Sequence, residues 1–228
     1  MHRKRCEKLH PYRDGERNDF MTDMPVFGIL CCGKDIKELS TAVKACGYIT
    51  DILKNSGFVL GGYHTAIVKK GDDSLVKMCE SKLSHLCKTC DVVFTVGCDG
   101  FDTDDIVPDI TVGLCESEAV FFTSHLCGIS NISNYDFAGT GKKKVPHSPS
   151  RSRAGIVGKC LVLNIRKEIG FIRSILPPLL PSVTFATSCI SGKDAGENKK
   201  INEYLKKICK SPDKYSKTFF DRSFFGYK

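Results

Sequence analysis

The 228-residue chain lacks several things, and each absence removes a class of function. No apolar run approaches the ~20 residues a membrane span needs. The nearest, Val26 to Cys32, is of strand length and lies too far in for a usual secretory signal. The basic opening (Arg3, Lys4, Arg5) also carries Glu7, Asp14 and Glu16, which does not suit a mitochondrial leader. A cytoplasmic protein with no membrane contact is therefore expected. Thirteen cysteines are present, but they sit inside apolar-periodic segments rather than at turns, so they read as reduced, buried small hydrophobes. A zinc site is not indicated either. Cys87 and Cys90 form a lone CxxC near Cys79 and His85, with no second pair at zinc spacing.

The charge is unevenly spread. The total is +8, yet residues 24–141 hold 9 basic and 15 acidic residues, a net −6. Residues 142–153 carry Lys142, Lys143, Lys144, Arg151 and Arg153 with no acid, and residues 184–228 add another net +5. The basic loop contains no aromatic residue, whereas nucleic-acid binding favours basic residues interleaved with aromatics on one surface. A basic loop beside an acidic body suits a phosphorylated ligand with a metal ion better.

The periodicity predicts alternating strands and helices. Val26 to Cys32 reads as a strand buried on both faces. Ile36, Leu39, Val43, Cys46, Ile49 and Leu53 form a helical stripe between an N-cap at Asp35 and a stop at Gly57. Phe58 to Val68 and Asp91 to Gly97 read as strands, separated by a helix from Ser74 to Leu86. A third helix is expected from Asp105 through Leu126, irregular chain over 127–153, and a strand from Lys159 to Ile165. The last helix, with Ile169, Ile172, Ile175 and Leu176, is expected to stop at Pro177 and Pro178. The expected fold class is α/β, a three-layer α/β/α arrangement with a mainly parallel sheet. The expected divisions are a polar extension over 1–23, one domain over 24–183 and a basic extension over 184–228.

Ligands of such sheets sit beyond the carboxyl ends of the strands, which selects the loops after Val68, Gly97 and Ile165. The middle one reads Gly97-Cys98-Asp99-Gly100-Phe101-Asp102-Thr103-Asp104-Asp105-Ile106-Val107-Pro108-Asp109. Gly97 and Gly100 would let backbone amides approach a phosphate at a helix N-terminus. Asp102, Asp104 and Asp105 supply carboxylates suited to Mg²⁺. Taken alone, Asp105 is also a plausible helix N-cap, and the segment from Pro149 to Arg153 a plausible solvated loop or phosphorylation site.

Thr95 to Thr111 resembles the TGGTG-x-x-x-x-D-V-T-P-E/D-A-T signature of the molybdenum-cofactor biosynthesis family. Pro149 to Asn164 (PSRSRAGIVGKCLVLN) resembles that family's LSR-x-x-AGIRGKTLI-x-N segment, and the resemblance covers roughly residues 26–183. It implies adenylylation of molybdopterin: AMP passes from Mg-ATP to the terminal phosphate of the pterin, and pyrophosphate leaves. It also implies a homotrimer. By similarity, Asp105 and Asp72 are the catalytic, Mg²⁺-holding aspartates. Gly97, Cys98, Asp99, Gly100, Ser150, Arg151 and Asn164 occupy substrate-binding positions, with Arg151 gripping phosphate through paired hydrogen bonds.

The ligand loops depart from the family pattern. GGTG becomes Gly97-Cys98-Asp99-Gly100, Ser-Asp after the first strand becomes Gly33-Lys34, and Asp-x-Ser-Gly becomes Lys44-Ala45-Cys46-Gly47. The Pro-Gly-Phe-Gly-Glu element has no counterpart in 121–137. The NLPG loop becomes Asn164-Ile165-Arg166-Lys167, in which Arg166 and Lys167 could attract phosphate. An adenylyltransferase and a scaffold that kept the fold without the reaction both remain open, and a flavin-nucleotide relative stands behind them. The basic extension is a candidate surface for a protein partner.

Overall fold

The computed structural model describes residues 24–127 and 150–192, together with Lys199, Glu203, Tyr204 and Lys206. Among these the chain order is β1 (Val26–Gly33), α1 (Ile36–Asn55), β2 (Val59–Ile67), α2 (Asp73–Thr89), β3 (Val92–Val96), α3 (Val107–Leu114), β4 (Ser117–Glu118), α4 (Val120–Leu126), β5 (Ala154–Val157), β6 (Cys160–Ile165) and α5 (Ile169–Ile190). The sheet order is β2-β1-β3-β6-β5-β4. β2, β1, β3 and β6 run parallel, while β5 and β4 add an antiparallel edge. The α/β class with a mainly parallel sheet is the observed one.

The apolar run of β1 has a direct cause. Phe27, Ile29 and Cys31 pack into one core cluster with residues of α1 and α5, while Leu30 and Cys32 pack into a second with residues of α2 and α3. Successive side chains point to opposite faces, so a strand covered on both faces must be apolar at every position. Asp35 caps α1 by accepting from Glu38 N at 2.7 Å, and Gly57 follows the helix at φ +82°. The described cysteines are thiols, most of them buried in these two clusters.

Three expectations need correction. The single helix from Asp105 to Leu126 is two short helices separated by β4. Glu116 N bonds Ile156 O at 2.8 Å and Ala119 N bonds Ala154 O at 2.8 Å, so strand pairing interrupts the helical periodicity. Second, β5 lies in front of β6 as a separate strand. A two-residue turn, Gly158-Lys159, joins them, with Gly158 at φ +59°.

Third, α5 does not stop at Pro177. It runs to Ile190 with Pro177, Pro178 and Pro181 inside it. Each interior proline costs about 3 kcal/mol, three of them about 9. Phe171, Ile172, Leu176, Leu179, Leu180 and Val183 are buried, each contributing roughly 1.5–3 kcal/mol, so packing outweighs the local penalty. By length and composition α5 could cross a membrane. Its inner stripe packs on α1 and β6. The helix also passes the expected division at 183/184: Thr184, Thr187 and Ser188 are buried, and the Tyr204 ring meets Phe58 at 5.0 Å.

Candidate functional site

The parallel strands bring four segments to one end of the sheet: Lys34 after β1, Lys69–Asp72 after β2, Gly97–Ile106 after β3 and Arg166–Glu168 after β6. The loops after β2 and β3 flank the end of β1. Lys70 N donates to Asp104 Oδ1 at 3.1 Å, joining these two loops above it. Asp72 caps α2, its Oδ1 accepting from Leu75 N at 3.1 Å.

Lys34 stands at the centre. Its Nζ lies 2.9 Å from Asp102 Oδ2, 3.6 Å from Asp105 Oδ1 and 3.8 Å from Glu38 Oε1. Glu38 Oε1 is also 3.2 Å from Lys167 Nζ. The chain of alternating charge Asp102–Lys34–Glu38–Lys167 thus joins the loops after β3, β1 and β6. The hydrogen bond to Asp102, opposed by partial burial and helped by Asp105 and Glu38, raises the Lys34 pKa, so the ammonium stays charged. The same bond, with Thr103 N, holds the Asp102 carboxyl below its usual range. Asp105 is buried, and its Oδ2 accepts from Asp102 N at 3.2 Å.

The altered glycine loop keeps its turn. Gly97 has φ +93°, and a Cβ there would lie 2.6 Å from Cys32 O, so only glycine fits. Cys98 follows at φ +55°, a left-handed conformation costing a non-glycine residue about 1–2 kcal/mol. Its side chain is 2 % exposed and packs with Cys32, Cys79 and Val107 in the core, not over the loop. Desolvation, then the charges of Asp105 and Glu38, push its thiol up to about 12. The neutral thiol is no nucleophile near pH 7. Asp99 also turns inward. Its Oδ2 accepts from Ser150 Oγ at 2.5 Å and Ser152 Oγ at 3.0 Å, and its carbonyl accepts from Arg151 N at 2.8 Å. Asp99 therefore ties the Ser-Arg segment to the β3 loop.

Arg151 donates through Nη1 to Asp105 O at 3.3 Å and pairs through Nη2 with Asp109 in the first turn of α3. Asn164 is buried beneath the loops. It donates to Thr95 Oγ1 at 2.6 Å and Thr111 Oγ1 at 2.8 Å, and accepts from Arg153 N at 2.9 Å. Its polar atoms are engaged in joining β6, β3 and α3. Gly100 sits against Asp105: a Cβ there would lie 2.5 Å from Asp105 Oδ2. The basic run Lys142–Lys144 lies outside the described residues. A cleft lined by Thr111, Val112, Cys115, Glu118 and Arg153 lies at the antiparallel edge and involves none of the expected site residues.

Sequence reading missed Lys34 and Glu38, although applying the strand-end rule to β1 as well would have selected Lys34. Nothing local signals that Asp99 reaches Ser150 and Ser152, more than fifty positions away.

No family model matches the chain. Two curated molybdopterin adenylyltransferases do: one from Helicobacter pylori strain 26695 is 29% identical over 130 residues, and one from strain J99 is 29% identical over 143. The matches take in 57% and 60% of this chain; the chain spans 64% of the length of the first relative and 72% of the second. Among solved structures, the molybdopterin biosynthesis enzyme MoaB of Thermus thermophilus superposes with a TM-score of 0.60 at 22% identity, over 75% of this chain and 99% of that one. A molybdopterin biosynthesis protein from Mycobacterium abscessus gives 0.56 at 21%, over 74% and 97%. The chain is thus similar over part of its length to two molybdopterin adenylyltransferases and shares the fold of MoaB.

Proposed function

We propose that this chain adenylylates molybdopterin with Mg-ATP. One observation carries the reading: in a fold shared with molybdopterin biosynthesis proteins, the strand-end loops gather buried Asp105 with Lys34, Lys167 and Arg151 at one end. In the reaction, an oxygen of the pterin's terminal phosphate attacks the α-phosphorus of ATP. The bond from that phosphorus to the bridging oxygen breaks, and pyrophosphate leaves with the electron pair. Both reactants are anions, so the protein's contribution is positioning and charge neutralisation. Lys34, always charged, is placed to meet phosphate oxygens. Arg151 holds Asp109 through an ion pair in which both side chains are partly solvated. Such pairs are worth roughly 0–1 kcal/mol, so a phosphate making two charge-assisted bonds can take the guanidinium over. Asn164 and Asp99 act by positioning the loops, and Gly97, Cys98 and Gly100 supply the turn.

Mg²⁺ enters with the nucleotide in this reading. Among the described residues no three His, Cys, Asp or Glu side chains gather as a metal cage. The ion on a polyphosphate needs only one or two protein carboxylates, which Asp105 and Asp72 would provide. When bound, it would neutralise charge on the phosphates. The same reading has the protein act in the cytoplasm as a homotrimer, which light scattering would check, and gives the C-terminal extension, residues 184–228, to a protein partner.

A specific observation favours a second reading, a scaffold without the reaction: Lys34 and Arg151 already occupy Asp105 and Asp109. Incubating the chain with Mg-ATP and molybdopterin, with a flavin-nucleotide control, decides between them. Adenylylated pterin is the expected product; oligomers without turnover, beside active pathway controls, would establish the scaffold.

A further inference from the structure

Arg166 immediately follows β6 and is only 3% exposed. Among the described residues its Nε has no hydrogen-bond partner, and no carboxylate forms an ion pair with its guanidinium. The neighbouring Lys167 has Glu38, so that acid is already engaged. A guanidinium cannot shed its proton, and a buried charge without a counter-charge is costly. A buried arginine with an unsatisfied Nε and no counter-charge among the described residues therefore asks what anion completes it.

Its placement answers in kind. The guanidinium carbon lies 4.8 Å from the centre of the Phe171 ring, in the first turn of α5. That helix is 22 residues long, and no side chain caps its start. Its first N–H groups point out of the helix at the end where the macrodipole is positive. Gly170, at the second helical position, has open space where a Cβ would be. A ring face against one side of the guanidinium leaves its in-plane N–H donors to define the binding direction.

We infer that Arg166 and the uncapped first turn of α5 bind a phosphate group of the substrate. The shared chemistry is a doubly charged phosphate, from either the pterin's terminal phosphate or the nucleotide's polyphosphate. The inference rests on the adenylyltransferase reading for the molecule that bears the phosphate, not for the existence of the anion site.

The test uses the full chain, Arg166→Met and Arg166→Lys, titrated calorimetrically with inorganic pyrophosphate at moderate salt, with melting curves taken alongside. Arg166→Met is expected to bind pyrophosphate about tenfold or more weakly, and Arg166→Lys, keeping charge but not the fork, to fall between. Without anion, Arg166→Met should melt no lower than the wild type, because an uncompensated buried charge is gone. Pyrophosphate should raise the wild-type melting temperature and leave that of Arg166→Met unmoved. In turnover, the KM of one substrate should rise about tenfold while the other KM and kcat stay within about threefold. The substrate affected identifies the phosphate. Equal pyrophosphate affinity in Arg166→Met, no wild-type binding, or a lower melting temperature with unchanged affinity would overturn the inference. Should Arg166→Met not fold, equal affinity in Arg166→Lys and wild type would overturn it. Wild-type chain that binds pyrophosphate through Arg166 but makes no adenylylated pterin removes the adenylyltransferase reading and leaves the site. Turnover by Arg166→Met with wild-type constants removes the site and leaves the reading.

Discussion

The chain after β3 and the chain after β6 reach the same end of the sheet and treat charge in opposite ways. The first is acidic and engages its carboxylates internally: Asp99 with two serines, Asp102 and Asp105 with Lys34, Asp104 with the backbone of Lys70. The second begins with Arg166, which has no ionic partner among the described residues, and leads into a helix without a side-chain cap. An internally neutralised loop holds its shape without ligand. An unneutralised arginine leaves the folded state with an unmet electrostatic demand. Under the proposals above, the β3 loop holds its own shape around Asp105 and the β6 segment receives the anion.

The strongest way to break this contrast is to cut the link beneath the two segments. Asn164→Ala removes bonds to Thr95, Thr111 and Arg153 N and leaves buried groups unsatisfied. It should lower stability by about 3 kcal/mol, read by urea unfolding, and an effect under 1 kcal/mol would mean that the segments hold their places independently. Asp105→Asn addresses the acidic side itself. Under the proposed reaction, kcat should fall about hundredfold with the fold intact, and near wild-type turnover would remove Asp105 from the chemistry.

Alkaline pH separates the regions without mutation. Burial first, then nearby acids, push the Cys98 thiol from 9.0 up to about 12, and burial with the charge of neighbouring Cys87 and acids pushes Cys115 up to about 11. Folded pKa values above the unfolded one mean that the unfolded chain loses these protons first. The associated stability is therefore present below pH 9 and declines as pH rises towards 11–12. Urea midpoints measured across that window should fall, and the fall should shrink in Cys98→Ala. The smallest effect is expected on the surface. Because Lys34 holds the Asp102 carboxyl low, Lys34→Met should return the Asp102 titration, followed by NMR, towards ordinary aspartate values. An unmoved titration would show that Thr103 N alone sets it.

Local pattern was sufficient for much of the scaffold. β1 and β3 are legible because burial on both faces demands apolar residues at every position, and α1 because Asp35, its stripe and Gly57 mark start, face and stop. The segment 105–126 was misread because pairing with β5 overrode its helical periodicity. α5 was misread because proline is a local signal, while the burial that carries the helix past Pro177, Pro178 and Pro181 is not.

The site divides in the same way. Sequence alone determined which residue types stand at the strand ends: the aspartates of the β3 loop, Asp72, and the Ser150-Arg151 pair. Only the tertiary structure decided where they face. Cys98 and Asp99 turn inward, Asn164 becomes a buried clamp, Lys34 joins three loops, and Arg166 is buried without a counter-charge among the described residues. The reason is physical. Side-chain chemistry and period are properties of a short stretch, whereas ion pairing and desolvation depend on which distant segments the sheet order places side by side.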